Sequence, residues 1–176
     1  VPTSSGIGLT SACLGFIRAL DYIGLKAGFL KPFSQNITAN HESDDNSSVL
    51  AKHAFNLNPP PSIDRSRLER VIGDGQLDDL MEEVVAMHQA LAEQYDVIVC
   101  EGLAADNDSS YAELVNLAIV NALDAKVILV SSGDIANPDS LVDKLDIFAR
   151  DFGGMASERT LGTILMRVKN VDNHYD

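Results

Sequence analysis

Apolar positions at helical spacing alternate along the chain with short, continuous apolar runs. Leu9, Cys13, Phe16 and Leu20 recur on one face of a predicted helix over residues 8–25, and Gly24 is a typical stop. The same spacing predicts helices over residues 77–94, 111–123 and 139–152. A shorter helix is expected to be capped by Ser47 or Ser48 and to end near Phe55.

The continuous apolar runs predict buried strands. They cover residues 26–33, 95–102, 126–133 and 160–170, and the first residue also has a strand-like pattern. Residues 36–48 are polar and loop-like, and three prolines at 59–61 break the chain. Strands that alternate with helices predict an α/β fold, a three-layer, doubly wound and mostly parallel sheet. Ligands of such folds bind beyond the carboxyl ends of the strands.

The length and composition fit one soluble domain. The 176 residues are 45% apolar and 22% charged, which is ordinary for a globular protein. No apolar run spans a bilayer and no signal-peptide pattern is present. A cytoplasmic location is expected because two cysteines in a chain of this size fit a reducing compartment best. Because the chain does not begin with Met and its first residue fits a strand, we expect residues 1–176 to form a single domain of a longer chain.

The charge balance restricts the partners. The formal net charge of −13 disfavours nucleic acid and anionic membranes, since both require a basic surface. A phosphate ligand is still compatible, because backbone amides and one or two lysines can hold it locally. Two cysteines, Cys13 and Cys100, do not make a disulfide framework and are interpreted as small core residues. The four histidines have no spacing that suits zinc.

The stretch TSSGIGLT, residues 3–10, follows the Walker A pattern G-x-x-x-x-G-K-[ST] in part. Gly8 and Thr10 match, whereas Thr3 stands at the first glycine and Leu9 stands at the lysine. The backbone can still turn and present amides to an anion at a helix N-terminus. The candidate phosphate- or nucleotide-binding residues are Ser5, Gly6, Ile7, Gly8, Leu9, Thr10 and Ser11, together with Lys31. The alternative is a tight strand-to-helix turn that binds nothing.

Loss of the lysine removes the charge that phosphoryl transfer needs on the β- and γ-phosphates. Leu9 is also expected to place an apolar side chain where the phosphates would lie. Lys31, at the end of the second strand, is either a substitute cation or a lysine that reaches solvent. Thr10 and Glu101 are candidate Mg²⁺ ligands, although Glu101 can instead accept from nearby backbone amides. Asp44 or Asp45 is a candidate further acid, whereas Asp106 and Asp108 are expected to be solvated.

The stretch from PTSSGIGLTSACLGFIRAL to LKPFSQ, residues 2–35, closely resembles the start of long bacterial phosphate acetyltransferases. VIVCEG at residues 97–102 and DFGG at residues 151–154 also resemble that family. Its first domain is P-loop-like and is related to dethiobiotin synthetase and cobyrinic acid a,c-diamide synthase. The family itself has leucine in place of the Walker lysine, so Leu9 is a family trait.

The resemblance implies a parent enzyme that interconverts acetyl-CoA plus phosphate with acetyl phosphate plus CoA. Acetyl transfer belongs to a separate C-terminal domain of the same chain. This domain would therefore be non-catalytic, with structural and regulatory roles in a homo-oligomeric parent. It would require no cofactor, and its effector would be NADH, pyruvate or a nucleotide, bound weakly with or without Mg²⁺.

Carried over from dethiobiotin synthetase, the resemblance implies that Thr10 and Glu101 contact Mg²⁺ and that Lys31 contacts substrate and phosphate. The third acid falls near Asp44 or Asp45. Arg167 stands where those synthetases carry an asparagine that reads the base, which argues against adenine recognition. Two alternatives remain open: a free-standing ATP-dependent enzyme of the dethiobiotin or cobyrinic acid type, and a scaffold with an empty loop.

Overall fold

Helices and parallel strands alternate through the residues that the computed structural model describes, which are 1–35, 45–105, 111–133 and 138–168. In chain order the elements are α1 (Leu9–Tyr22), β1 (Ala27–Leu30), α2 (Asn46–Phe55), α3 (Arg65–Gly73), α4 (Leu77–Ala92), β2 (Val97–Cys100), α5 (Ala112–Ala122), β3 (Val127–Ser132), α6 (Pro138–Arg150) and β4 (Thr160–Met166). None of the described helices is long and apolar enough to cross a membrane.

The strands pair in parallel, as predicted. β1 runs beside β2 from Ala27↔Val97 to Leu30↔Cys100. β3 runs beside β4, and its register shifts after Val127. Gly162 lies at that shift with φ 148°, a backbone conformation that favours glycine. Pro2 forms an isolated parallel bridge to Val130, on the edge of β3 away from β4.

Helices cover both faces of the strands. On one face, buried residues of α1 pack on Phe29 of β1 and Val130 of β3. On the other face, α4 and α5 pack together, and Leu129 of β3 contacts the cluster that contains Ala149 of α6. Val130 and Leu129 therefore point to opposite faces, as neighbours in a strand must. The predicted three-layer α/β class is confirmed.

Three details differ from the sequence prediction. The cap of α2 is Asp45, whose carboxylate accepts from the Ser47 backbone N–H, so neither Ser47 nor Ser48 precedes the helix. Helix α3 was not predicted, because one buried residue, Leu68, leaves little apolar periodicity in an otherwise charged segment. β2 is half-buried along its length, although its apolar sequence predicted burial on both faces.

A buried amide fixes the chain where it leaves β2. The side chain of Asn116 on α5 accepts from the Leu103 backbone N–H at 2.8 Å and donates to the Leu103 carbonyl at 2.8 Å. Gly102 lies against the same amide, since a Cβ at that position would come within 2.6 Å of the Asn116 oxygen. Asn116 therefore holds the segment that carries Glu101 in one conformation.

We expect Asn116→Ala to destabilise the fold by about 2–4 kcal/mol, because it leaves two buried backbone groups of Leu103 without partners. Asn121→Ala on the same helix is the matched control, since its oxygen accepts from Arg159 at the surface. That control should cost less than about 1 kcal/mol. Urea unfolding followed by circular dichroism measures both, and equal losses would contradict the role given to Asn116.

Candidate functional site

A crevice of about 420 Å³ opens at the carboxyl ends of the strands. The 3–10 loop and the start of α1 form one side, and the segments after β1 and β2 form the other. The predicted residues that line it are Gly6, Ile7, Gly8, Leu9, Thr10, Ser11, Lys31, Asp45 and Glu101. Ser5 is exposed and is not part of this lining. The structure thus brings together three segments that are far apart in the sequence.

Glycines set the path of the loop. Gly6 has φ 65° and Gly8 has φ 88°, and Gly8 is the N-cap of α1. A Cβ on Gly8 would also lie 3.3 Å from the Met166 side chain. Both the positive φ and this close approach therefore favour glycine at position 8. The Thr3 backbone N–H donates to the Val130 carbonyl at 2.9 Å and ties the loop to β3.

The first turn of α1 presents amides to the crevice. The Ala12 N–H donates to the Gly8 carbonyl at 3.0 Å, which is the first bond within the helix. The amides of Leu9, Thr10 and Ser11 precede it and therefore have no carbonyl partner inside the helix. No side chain from the described part of the chain caps this end. Unpaired amides and the helix dipole make the turn suited to a negatively charged group.

The side chain of Leu9 differs from its prediction. Leu9 is 9% exposed and belongs to the hydrophobic cluster beneath α1, with Cys13 and Phe29. It borders the crevice but is packed into the core, so it does not fill the space in front of the amides. Ile7 is buried in the same cluster. The apolar residues of the loop therefore anchor it from below.

Lys31 is buried, and its ammonium group is fully engaged. Its side chain is 2% exposed, which rules out the interpretation that it reaches solvent. Nζ lies 3.0 Å from Glu101 Oε1 and donates to the Gly102 carbonyl at 3.0 Å and to Gln35 Oε1 at 3.3 Å. An ammonium group has three hydrogens, and these three acceptors account for all of them. None remains for a phosphate oxygen unless one of these bonds breaks.

Glu101 connects the lysine to the loop. Ser47 Oγ donates to Glu101 Oε1 at 2.8 Å and lies 2.9 Å from the Thr10 hydroxyl. The other carboxylate oxygen, Oε2, is buried and has no hydrogen-bond partner among the described residues. A buried carboxylate oxygen is costly in that state, so this atom is suited to a cation or a donor supplied by a ligand.

The donor set around Glu101 fits Mg²⁺. Thr10 and Glu101 offer a hydroxyl and a carboxylate oxygen, the hard ligands that Mg²⁺ takes along with waters and phosphates. Asp45 is occupied elsewhere: its carboxylate accepts from the Ser34 hydroxyl and from the backbone N–H groups of Gln35 and Ser47. Among the described residues no three acidic, cysteine or histidine side chains cluster as a metal site. Asp44, Asp106 and Asp108 lie outside the described residues.

Arg167 is a crevice residue whose charge the sequence prediction did not use. It follows β4 with φ 54°, is exposed, and lines the same crevice as Lys31. Within the described part of the chain, its guanidinium has neither an ion pair nor a hydrogen bond. The resemblance to dethiobiotin synthetase places Arg167 only at the position of a base-reading asparagine. The sequence feature that could have predicted this role is the position of Arg167 at the end of a predicted strand, where ligands of such folds bind.

The two cysteines are core residues with weakly acidic thiols. Burial, with a smaller contribution from the nearby Glu101 carboxylate, raises the pKa of Cys13 to about 12 and that of Cys100 to about 12. A thiol with such a pKa is almost entirely protonated at neutral pH and is a poor nucleophile. Both remain unpaired thiols, as the sequence suggested.

Parallel strands, a glycine loop that enters a helix, and a crevice beyond the strand ends define a P-loop-type α/β domain. Residues 1–175 match the AAA_26 family, described as an AAA domain, and the chain belongs to that family. A crystal structure of a DUF1611 family protein from Anabaena variabilis has the same fold, with a TM-score of 0.55 and 16% identity over 100% of this chain and 45% of that one.

Curated relatives include phosphate acetyltransferases. That of Acinetobacter baylyi is 42% identical over 171 residues, which is 97% of this chain and 23% of that protein. That of Nitrosomonas europaea is 40% identical over 167 residues, and that of Escherichia coli is 27% identical over 168 residues. In each of these two, the match covers 24% of the relative. The chain thus resembles the N-terminal part of much longer proteins, as the sequence indicated.

Removing one partner of the buried ion pair between Lys31 and Glu101 should strongly destabilise the fold. Glu101→Leu or Lys31→Met leaves one charge buried without its partner, and we expect each to cost about 3–5 kcal/mol of unfolding free energy. The double variant with Lys31→Met and Glu101→Leu should recover much of that loss. In contrast, Asp21→Asn, which breaks the exposed pair with Arg18, should cost less than about 1 kcal/mol. Urea unfolding gives the coupling energy, and additive losses in the double variant would contradict it.

The raised thiol pKa values predict slow alkylation. At pH 8 the folded protein should react with iodoacetamide on the order of a hundred times more slowly than the same protein in guanidinium chloride. Mass spectrometry counts the modified cysteines over time. Alkylation of folded protein at the denatured rate would show that the thiols are neither buried nor raised in pKa.

Proposed function

We propose that this chain is a non-catalytic structural and regulatory domain of a phosphate acetyltransferase, the enzyme that converts acetyl-CoA and phosphate into acetyl phosphate and CoA. The similarity to one part of such enzymes supports the parent identity. In the proposal, acetyl transfer belongs to a C-terminal domain of the same chain, in a cytoplasmic homo-oligomer. The 3–10 loop is a degenerate phosphate-binding loop that takes an anionic effector weakly.

One observation carries the non-catalytic assignment: the Lys31 ammonium is already satisfied by Glu101, Gly102 and Gln35. Phosphoryl transfer needs a cation whose charge acts on the transferring phosphoryl group. Leu9 supplies none, and Lys31 is neutralised by a carboxylate 3.0 Å away. A free-standing ATP-dependent enzyme would require Lys31 to replace the Walker lysine, so this arrangement disfavours that alternative.

The retained features support binding of an anion. Amides at the start of α1 face the crevice, and Arg167 provides a guanidinium free of protein partners within the described residues. Glu101 Oε2 and Thr10 would hold Mg²⁺, which would supply positive charge to offset the negative charge of a phosphate-containing ligand. We therefore propose a phosphate-containing effector such as a nucleotide or NADH, with pyruvate as a smaller carboxylate alternative.

Isothermal titration should detect weak binding of Mg·ADP to the purified chain. Arg167→Ala should weaken that binding about tenfold, the loss expected for one charge-assisted hydrogen bond. Arg159→Ala is the matched control, since Arg159 precedes the opposite end of β4 and pairs with Asp124. Titrations with NADH and pyruvate identify the preferred effector class. Absence of heat with all three at millimolar concentration would contradict the effector role and favour a scaffold.

The same protein should release no phosphate from Mg·ATP above background. Its rate should lie far below the roughly 1 s⁻¹ at the slow end of ordinary enzymes. A malachite-green assay over several hours measures it, with a heat-denatured sample as the blank. Turnover of Mg·ATP at ordinary enzyme rates would contradict the non-catalytic assignment and favour the ATP-dependent alternative.

A further inference from the structure

A groove of about 780 Å³ runs along the surface between α4 and α5. It shares no lining residue with the crevice at the strand ends. Leu114 on α5 lines the groove and is 54% exposed, so apolar surface is open to water here. An exposed apolar groove with a polar rim is typical of a surface that binds another molecule. The apolar lining residues that define it are Leu77, Met81 and Val85 of α4, and Leu114, Leu117 and Ala118 of α5.

The rim of this α4–α5 groove is acidic along α4. Asp78 and Glu82 line it one helical turn apart, and both are exposed. Within the described ranges, neither carboxylate has an ion pair or a hydrogen bond. None of the groove residues that the structure describes is lysine, arginine or histidine. The rim therefore favours a positively charged partner, and the net charge of −13 attracts such a partner from a distance.

The shape of the groove fits a helix. Leu77, Met81 and Val85 occupy every fourth position of α4, over about 12 Å at about 1.5 Å per residue. On the facing side, Ala118 and Ala122 are small, which permits a close approach of helix axes. A helix pairs its own backbone groups. An extended segment would leave its own unpaired, because the inner turns of α4 and α5 offer no free N–H or carbonyl.

We propose that the α4–α5 groove binds an amphipathic helix of a partner protein. Apolar side chains at every third or fourth position of that helix fill the groove, as in other helix-in-groove complexes. Lysines or arginines on one flank of the helix face Asp78 and Glu82. The proposal does not depend on the crevice or on its effector, so each can fail without the other.

Other occupants suit the groove less well. A second copy of this chain also has a net charge of −13 and is repelled by the acidic rim. An anionic membrane is repelled in the same way. A small apolar ligand stays largely exposed in a groove between two surface helices, whereas ligand pockets bury most of the ligand surface.

The probe for the test is a peptide of four Ala-Lys-Leu-Ala repeats, acetylated and amidated at its ends. As a helix it has its leucines on one stripe and its lysines on one flank of that stripe. In a titration of ¹⁵N-labelled chain it should shift the backbone amides of residues 77–85 and 114–122. A peptide of Ala-Glu-Leu-Ala repeats should bind at least about tenfold more weakly, because its flank meets like charge. A peptide of the same composition with its leucines spread around the helix should also bind more weakly.

Charge-reversal variants locate the charged contact. Asp78→Lys combined with Glu82→Lys should weaken binding of the lysine peptide at least about tenfold. The matched control combines Asp79→Lys with Glu93→Lys, two exposed acidic residues of the same helix and its C-cap that do not line the groove. Both variants change the net charge equally, so a loss confined to the first reports contact at the rim. Equal losses in the two would show that only the overall charge acts.

Leucine variants locate the apolar contact. Leu114→Ser should weaken binding at least about fivefold, because it removes apolar area that the peptide covers. Leu50→Ser is the matched control, since Leu50 is 51% exposed on α2 and lies outside the groove. Both side chains are largely in water, so both variants should fold, which circular dichroism checks.

The proposal is overturned if millimolar lysine peptide leaves the amides of residues 77–85 and 114–122 unshifted, or if the glutamate peptide binds equally well. Sedimentation velocity of the chain alone tests a second copy as occupant. Self-association that Leu114→Ser abolishes would assign the groove to a dimer instead. Flotation with phosphatidylcholine vesicles that the same variant abolishes would assign it to a lipid surface.

Discussion

The buried ion pair between Lys31 and Glu101 is the interaction on which the crevice depends. Both side chains are almost inaccessible to water, so neither charge is tolerable without the other. Glu101 also accepts from Ser47, which contacts Thr10 at the start of α1. One carboxylate thus links the ends of β1 and β2 to the helix that follows the loop. The arrangement fixes the direction of the loop amides. It also leaves the Lys31 ammonium paired with Glu101, so that this charge is not available to a nucleotide phosphate.

Because of this ion pair, the loop keeps the backbone shape of a phosphate-binding loop but lacks the lysine charge that phosphoryl transfer requires. Gly6, Gly8 and the first turn of α1 keep the geometry that receives an anion. Leu9 is used as a core residue, and Lys31 is used to neutralise Glu101. What remains for a ligand is a set of amides, one carboxylate oxygen and an exposed arginine. Such a site favours weak binding over catalysis, in keeping with the role we propose within a larger acetyltransferase.

The fold could be predicted from the sequence further than the site could. Period-3.6 apolar spacing located α1 and α4, and continuous apolar runs located the strands, because burial on a regular element repeats along the chain. Charged α3 has one buried residue and lacked that signal. The pairing of Lys31 with Glu101 was also hidden, because partners far apart in sequence leave no local pattern. For the same reason Arg167 was not recognised as a crevice residue, and the side chain of Leu9 was expected on the wrong side of the loop.

The central claim is that the loop retains an anion-binding shape while Lys31 stays paired with Glu101. NMR of ¹⁵N-labelled protein, titrated with Mg·ADP, tests both parts together. The account predicts shifts at the backbone amides of residues 6–11 and at the Arg167 guanidinium, with the Lys31 ammonium signal unchanged because its three hydrogen bonds persist. Shifts confined to other parts of the chain, or a Lys31 ammonium that leaves Glu101 for the ligand, would contradict it.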